Sequence, residues 1–133
     1  MNLDNLIIDI KENEGFSGVV YKDTLGFDTF GFGTKLPISK KESTVLLRMR
    51  LSDKIEELSR RKPLFTQLPH NVQEILAEMA YQLGVTGLLK FKKTWLYLEE
   101  GENESASVEM LDSLWAKQTP NRAKELSEKL AKA

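Results

Sequence analysis

Cysteine is absent from this chain of 133 residues. That excludes disulfides, a thiol nucleophile and any cysteine-held metal. There is one histidine, His70, so a zinc site built on two or three histidines is excluded as well. A histidine-dependent nucleophile would have to work without an evident partner, and His70 is read as a surface residue at a helix start. Net charge is −1, so the whole molecule carries no field that would draw it to nucleic acid or to an anionic membrane. No apolar run is long enough to cross a bilayer, and stable membrane insertion is not expected. The first fifteen residues, MNLDNLIIDIKENEG, have neither a basic start nor a continuous apolar stretch. No secretory leader is expected from them.

What remains is the composition of an ordinary globular domain, 41% hydrophobic and 29% charged, of a size able to build a core. Leu3, Leu6, Ile7 and Ile10 follow helical spacing, which predicts an amphipathic helix over residues 3–13. Glu14 comes seven residues after Ile7. If the helix continues, its carboxyl lies on the apolar stripe, with Gly15 as the stop. The alternative is a frayed helix end with Glu14 turned to water.

The pattern changes between residues 17 and 36. Val19, Val20 and Tyr21 favour a strand, and Asp23-Thr24-Leu25-Gly26 has turn chemistry. Phe30 and Phe32 interleave with Gly31 and Gly33, which suggests a small, tightly turned antiparallel sheet that needs helical support. Ser39 and Glu42 form a capping-box pattern. A long connector helix is predicted from there to about residue 61, with Val45, Leu46, Met49, Ile55 and Leu58 on its apolar side. Pro69 opens another helix, with Val72, Ile75, Leu76, Met79 and Ala80 as its stripe and Gly84 at its end. Gly87 marks a turn. Phe91, Trp95 and Leu98 outline a short helix up to Gly101, and a helix carrying Met110, Leu111, Leu114 and Trp115 follows. A last helix is capped by Thr119 with Pro120 at its first position.

The reading is an α+β domain, mostly helical, spanning residues 1–133. It comprises a small β lobe at about 14–38, a connector helix at about 39–61 and a helical lobe at about 63–133. The N-terminal helix is counted with the helical lobe. A cleft between two such lobes is a natural ligand site.

Glycoside hydrolysis needs a carboxylic acid to protonate the leaving oxygen and a carboxylate to manage water or charge at the sugar carbon. The two need different surroundings, because their pKa values must differ. Glu14 on an apolar face and Asp23 at a polar turn meet that requirement in outline, and Thr29 could hold a water with Asp23. Twenty acidic residues make many accidental pairs, so spacing alone does not single out this one.

The stretch YKDTLGFDTFGFG, with Glu14, Asp23 and Thr29 in the order Glu, eight residues, Asp, five residues, Thr, resembles the lysozymes (endolysins) of T-even bacteriophages. Ala80–Phe91 (AYQLGVTGLLKF) and Trp115–Leu126 (WAKQTPNRAKEL) resemble the same family in the same order. The resemblance implies a lysozyme-like fold with a three-stranded β lobe. The implied activity is a muramidase that cuts the β-1,4 bond between N-acetylmuramic acid and N-acetylglucosamine in peptidoglycan glycan strands. In that family pattern Glu14 is the general acid, and Asp23 with Thr29 positions the attacking water in an inverting reaction. Tyr81, Thr94, Lys35 and Glu109 match substrate-binding positions. Arg122 matches an arginine near the acid, and Gln82 and Trp115 match a structural amide–indole pair. No metal or cofactor is implied. A monomer is, made in the host cytoplasm and released to the wall with holin help.

Several positions depart from the family pattern. Thr34 stands where the family often has histidine, Lys35 where an apolar residue is usual, and Glu109 where asparagine is common. The segment between hairpin and connector helix is short, and the charge is near neutral where many relatives are basic. A weakly active or inactive wall-binding or virion structural module is the alternative, and a helical protein-interaction domain is a third.

Overall fold

The computed structural model describes every residue from Met1 to Ala133. The chain forms two compact units, Met1–Val45 and Leu46–Ala133. No helix is long and apolar enough to cross a membrane.

The first unit opens with α1, Leu3–Glu14. The side chain of Asn2 caps it by accepting the Asn5 N–H at 3.1 Å. A three-stranded antiparallel sheet follows in the order β1 (Ser17–Lys22), β2 (Asp28–Gly31) and β3 (Thr34–Lys35). Tyr21 pairs with Thr29, and Thr29 pairs in turn with Lys35. The N-terminal helix belongs to this unit. Its stripe residues stay open to water, Leu3 at 61% and Ile10 at 44% exposure.

Helix α2, Lys40–Arg61, starts with both halves of the capping box made. Glu42 N–H donates to Ser39 Oγ at 3.0 Å, and Ser39 N–H donates to Glu42 Oε1 at 2.9 Å. The apolar side expected for it is only partly used. Leu58 is buried, but Val45, Met49 and Ile55 are exposed. Periodicity assigns a face to a helix; a packing partner is what buries it.

In the second unit a 3₁₀ turn at Pro63–Gln67 precedes α3 (His70–Leu83). Then come α4 (Val85–Leu89), α5 (Lys92–Glu99), α6 (Asn103–Met110), α7 (Leu114–Gln118) and α8 (Pro120–Ala131). The core sits here. Val72, Ile75, Leu76, Met79 and Ala80 of α3 are buried together with Leu126 and Leu130 of α8. Each large apolar side chain so buried contributes about 1.5–3 kcal/mol.

Three sequence expectations are corrected in this unit. Gly87 lies inside the short helix α4 rather than in a turn. Met110 and Trp115 fall on separate helices, because Ser113 starts a new one by accepting the Ala116 N–H at 3.1 Å. Thr119 precedes Pro120 but does not cap α8 with its side chain; its hydroxyl donates backwards to Trp115 O at 2.9 Å.

Candidate active site

Glu14 is the last residue of α1. Gly15 ends the helix at φ 67°, its N–H donating to Lys11 O at 3.0 Å. The side chain of Glu14 then lies against Gly33, in the turn between β2 and β3. A Cβ at position 33 would stand 2.5 Å from Glu14 Oε2 and 2.6 Å from its Cδ. Two further contacts tie the helix end to that turn. The Phe16 and Phe32 rings lie 5.3 Å apart between centroids, and Lys11 Nζ sits 5.1 Å from the centroid of the Phe32 ring. Of the two sequence readings for Glu14, a residue on an apolar stripe or one turned to water, the second describes its exposure. The carboxyl nevertheless has a defined seat.

Asp23 begins the turn between β1 and β2. Its N–H donates to Phe27 O at 2.9 Å, and its carbonyl accepts the Gly26 N–H at 3.0 Å. Its Oδ1 accepts two more backbone N–H groups, from Leu25 at 2.9 Å and Phe27 at 2.8 Å. Lys35 Nζ lies 3.5 Å from Oδ2. The Phe27 N–H does most to hold the Asp23 carboxyl below the usual carboxylate range. Partial burial opposes that, and the Leu25 N–H and the Lys35 ammonium add to it. Asp23 is therefore held in its ionised form.

Thr29 is in the middle strand and is buried, at 2% exposure. Its Oγ1 donates to Phe27 O at 2.9 Å. With the hydroxyl hydrogen committed there, the oxygen has only lone pairs to offer, so Thr29 can accept from a water but not donate to it. One strand of four residues, about 13 Å long, thus separates the turn that holds Asp23 from the turn that seats Glu14.

The remaining positions singled out in the sequence lie in the second unit, apart from Lys35. Thr94, buried, and Glu109, partly buried, line one cavity of about 290 Å³ together with Lys92, Lys93 and Asp112. Tyr81, 43% exposed, lies elsewhere, on a groove with Leu47, Leu51, Ile55 and Arg122. Arg122 Nη1 is 3.6 Å from Glu78 Oε2. Trp115 Nε1–H donates to Gln82 Oε1 at 2.9 Å, and the Trp115 ring meets Phe91 edge to face at 6.1 Å. The sequence reading missed two relationships, Gly33 as the seat of Glu14 and Lys35 as the neighbour of Asp23. The second glycine of Gly31-Phe32-Gly33 was the available signal for the first.

A helix end that presents a glutamate to a three-stranded sheet carrying an aspartate turn, in a chain whose second unit is helical, defines a small α+β protein of lysozyme-like fold. Comparison with known proteins narrows this. Over an alignment of 146 positions the chain is 30% identical to "Probable T4-type lysozyme 2" of Dictyostelium discoideum and 26% identical to "Probable T4-type lysozyme 1" of the same organism, in both cases covering 86% of each chain. It is 29% identical to the "Pre-baseplate central spike protein Gp5" of Enterobacteria phage T4, over 86% of this chain but only 25% of that protein. A scan against models of protein families finds no match. The chain belongs to the T4-type lysozyme family.

Proposed function

We propose that this protein hydrolyses the β-1,4 bond between N-acetylmuramic acid and N-acetylglucosamine in peptidoglycan, with inversion at the sugar carbon. Glu14 gives its proton to the glycosidic oxygen as the C–O bond breaks. A water attacks the same carbon from the opposite face and passes a proton to Asp23 Oδ2. Its other hydrogen is accepted by Thr29 Oγ1, which leaves a lone pair of the water aimed at the sugar. Each turnover ends with Glu14 ionised and Asp23 protonated, and solvent exchange restores both. Inversion needs carboxyls roughly 6.5–9.5 Å apart, so that a water fits between Asp23 and the sugar.

The observation that carries this reading is the unequal treatment of two carboxyls within one small unit. Asp23 is tied to two N–H groups and an ammonium, and Glu14 is seated on a glycine with no cation paired to it. Tyr81, Thr94 and Glu109 supply saccharide or stem-peptide contacts in this reading, with Arg122, Gln82 and Trp115 in support. The protein works as a monomer on the wall, after holin-assisted release from the host cytoplasm.

A second reading, a wall-binding or virion-borne module with little activity, is favoured by the exposure of Glu14, which leaves the group that the first reading uses as its acid open to water. Clearing of outer-membrane-permeabilised cells separates the two readings. Wild-type protein clears them and Glu14→Gln does not if Glu14 is the acid. Clearing that survives Glu14→Gln removes Glu14 from that role, and failure of the wild type to clear favours the module.

A further inference from the structure

The oxygen of Asp23 that the proposed reaction needs is the one its backbone bonds leave free. Both N–H donors, from Leu25 and Phe27, go to Oδ1. Oδ2 faces Lys35 Nζ at 3.5 Å. The sheet register explains why a residue twelve positions further along the chain arrives there. Residues paired across antiparallel strands send their side chains to one face. Thr29 pairs with both Tyr21 and Lys35. Asp23 lies two residues beyond Tyr21, in phase with the same face. Asp23, Thr29 and Lys35 therefore share one side of a sheet whose third strand, β3, is only two residues long.

We propose that Lys35 is a positioning residue for Asp23: its ammonium holds Oδ2 at the edge of the sheet and keeps the carboxylate aimed where the attacking water must sit.

This assigns Lys35 to the catalytic carboxylate rather than to the sugar, and it rests on the reading of Asp23 as the group that takes the proton of the water. The other charges near Asp23 do not duplicate the role. Lys22, at the end of β1, is engaged by Asp28 of β2 at 2.7 Å. Glu14, from α1, is seated at the opposite turn on Gly33. Lys35 is the one cation paired with Asp23.

The arrangement has an opposing cost. An ammonium next to a carboxylate favours its ionised form and weakens it as a proton acceptor. Lys35 thus extends activity towards low pH at the expense of basicity. The pair is half-open, Lys35 at 56% and Asp23 at 18% side-chain exposure, so salt should weaken it.

The test compares wild type, Lys35→Met and Lys35→Arg by two measurements. The first is the titration of the Asp23 side-chain carboxyl carbon by NMR, which needs no activity. The second is the pH profile of wall hydrolysis at low and high salt. In Lys35→Met the Asp23 titration and the acid limb both move to higher pH. The ratio of activity at about pH 4 to that at about pH 6 falls roughly two- to fivefold. Lys35→Arg restores it, and high salt brings wild type towards the Met variant. A rise in KM that is the same at every pH, with the Asp23 titration unmoved, overturns the proposal and returns Lys35 to a substrate contact. If the Asp23 titration moves while the acid limb does not, the Lys35–Asp23 pairing stands and the reading of Asp23 as the catalytic carboxylate falls.

Discussion

Glu14 occupies the space that a side chain at position 33 would take, and Gly33 is the residue that leaves it open. The contact is with the carboxyl group itself, and Gly33 also has φ 73°, a conformation that L side chains rarely adopt. The placement of the candidate acid therefore depends on a missing methyl group in a turn nineteen residues downstream. Helix α1 brings the carboxyl to the turn, and the Phe16–Phe32 contact holds the turn beneath it.

Gly33→Ala tests this. The positive φ costs about 1–3 kcal/mol for a non-glycine residue, and the added methyl displaces the Glu14 carboxyl. Thermal denaturation should show a modest loss of stability. Lytic activity should fall well beyond the fraction unfolded, and a variant that keeps full activity would show that the seat has no part in catalysis.

At Thr29, the buried hydroxyl donates to Phe27 O, in the same turn that presents the Phe27 N–H to Asp23. Thr29→Val keeps the shape and removes one of the two hydrogen bonds to that carbonyl, which the Asp23 N–H still satisfies, at a cost of about 0.5–1.5 kcal/mol. It also removes the acceptor proposed for the attacking water. Thr29→Ser retains both hydrogen-bonding roles. Activity is expected to be lost in the Val variant and largely kept in the Ser variant, measured on samples shown by circular dichroism to be folded. Equal activity in the two would remove Thr29 from the reaction.

Asp23 makes stability depend on pH with a definite sign. Its folded-state pKa lies below the ordinary 3.8, chiefly because of the Phe27 N–H. The ionised form thus stabilises the fold at pH above the ordinary value, and that contribution fades as pH falls through the depressed one. Asp23→Asn removes it. Urea denaturation between about pH 3 and pH 6 should show wild type ahead of the variant at the upper end and the gap closing at the lower. A gap that widens on acidification would contradict the assigned direction.

Legibility in the sequence varied with how local the cause was. The capping box of α2 and the stripe of α3 were readable because their bonds and periodicity lie within a few residues. The break between α6 and α7 was not. Met110, Leu111, Leu114 and Trp115 fit one helical stripe, and the interruption comes from Ser113 capping a new helix, a competition that apolar spacing does not register. Thr119 looked like a cap because of its type and its place before Pro120, yet its hydroxyl found a nearer acceptor in Trp115 O. The apolar side of α2 was legible as a pattern, and its exposure was not, because spacing says nothing about what packs against it.

The amino-acid order by itself determined that Glu14 ends a helix, that Asp23 opens a turn and that Thr29 lies in a strand. Each follows from the residue's own type and from neighbours close in the chain. Tertiary structure decided what those side chains meet. The sheet register carried Lys35 to Asp23, and the turn at Gly33 came to lie under Glu14, because strand pairing and turn geometry join residues that no local rule connects.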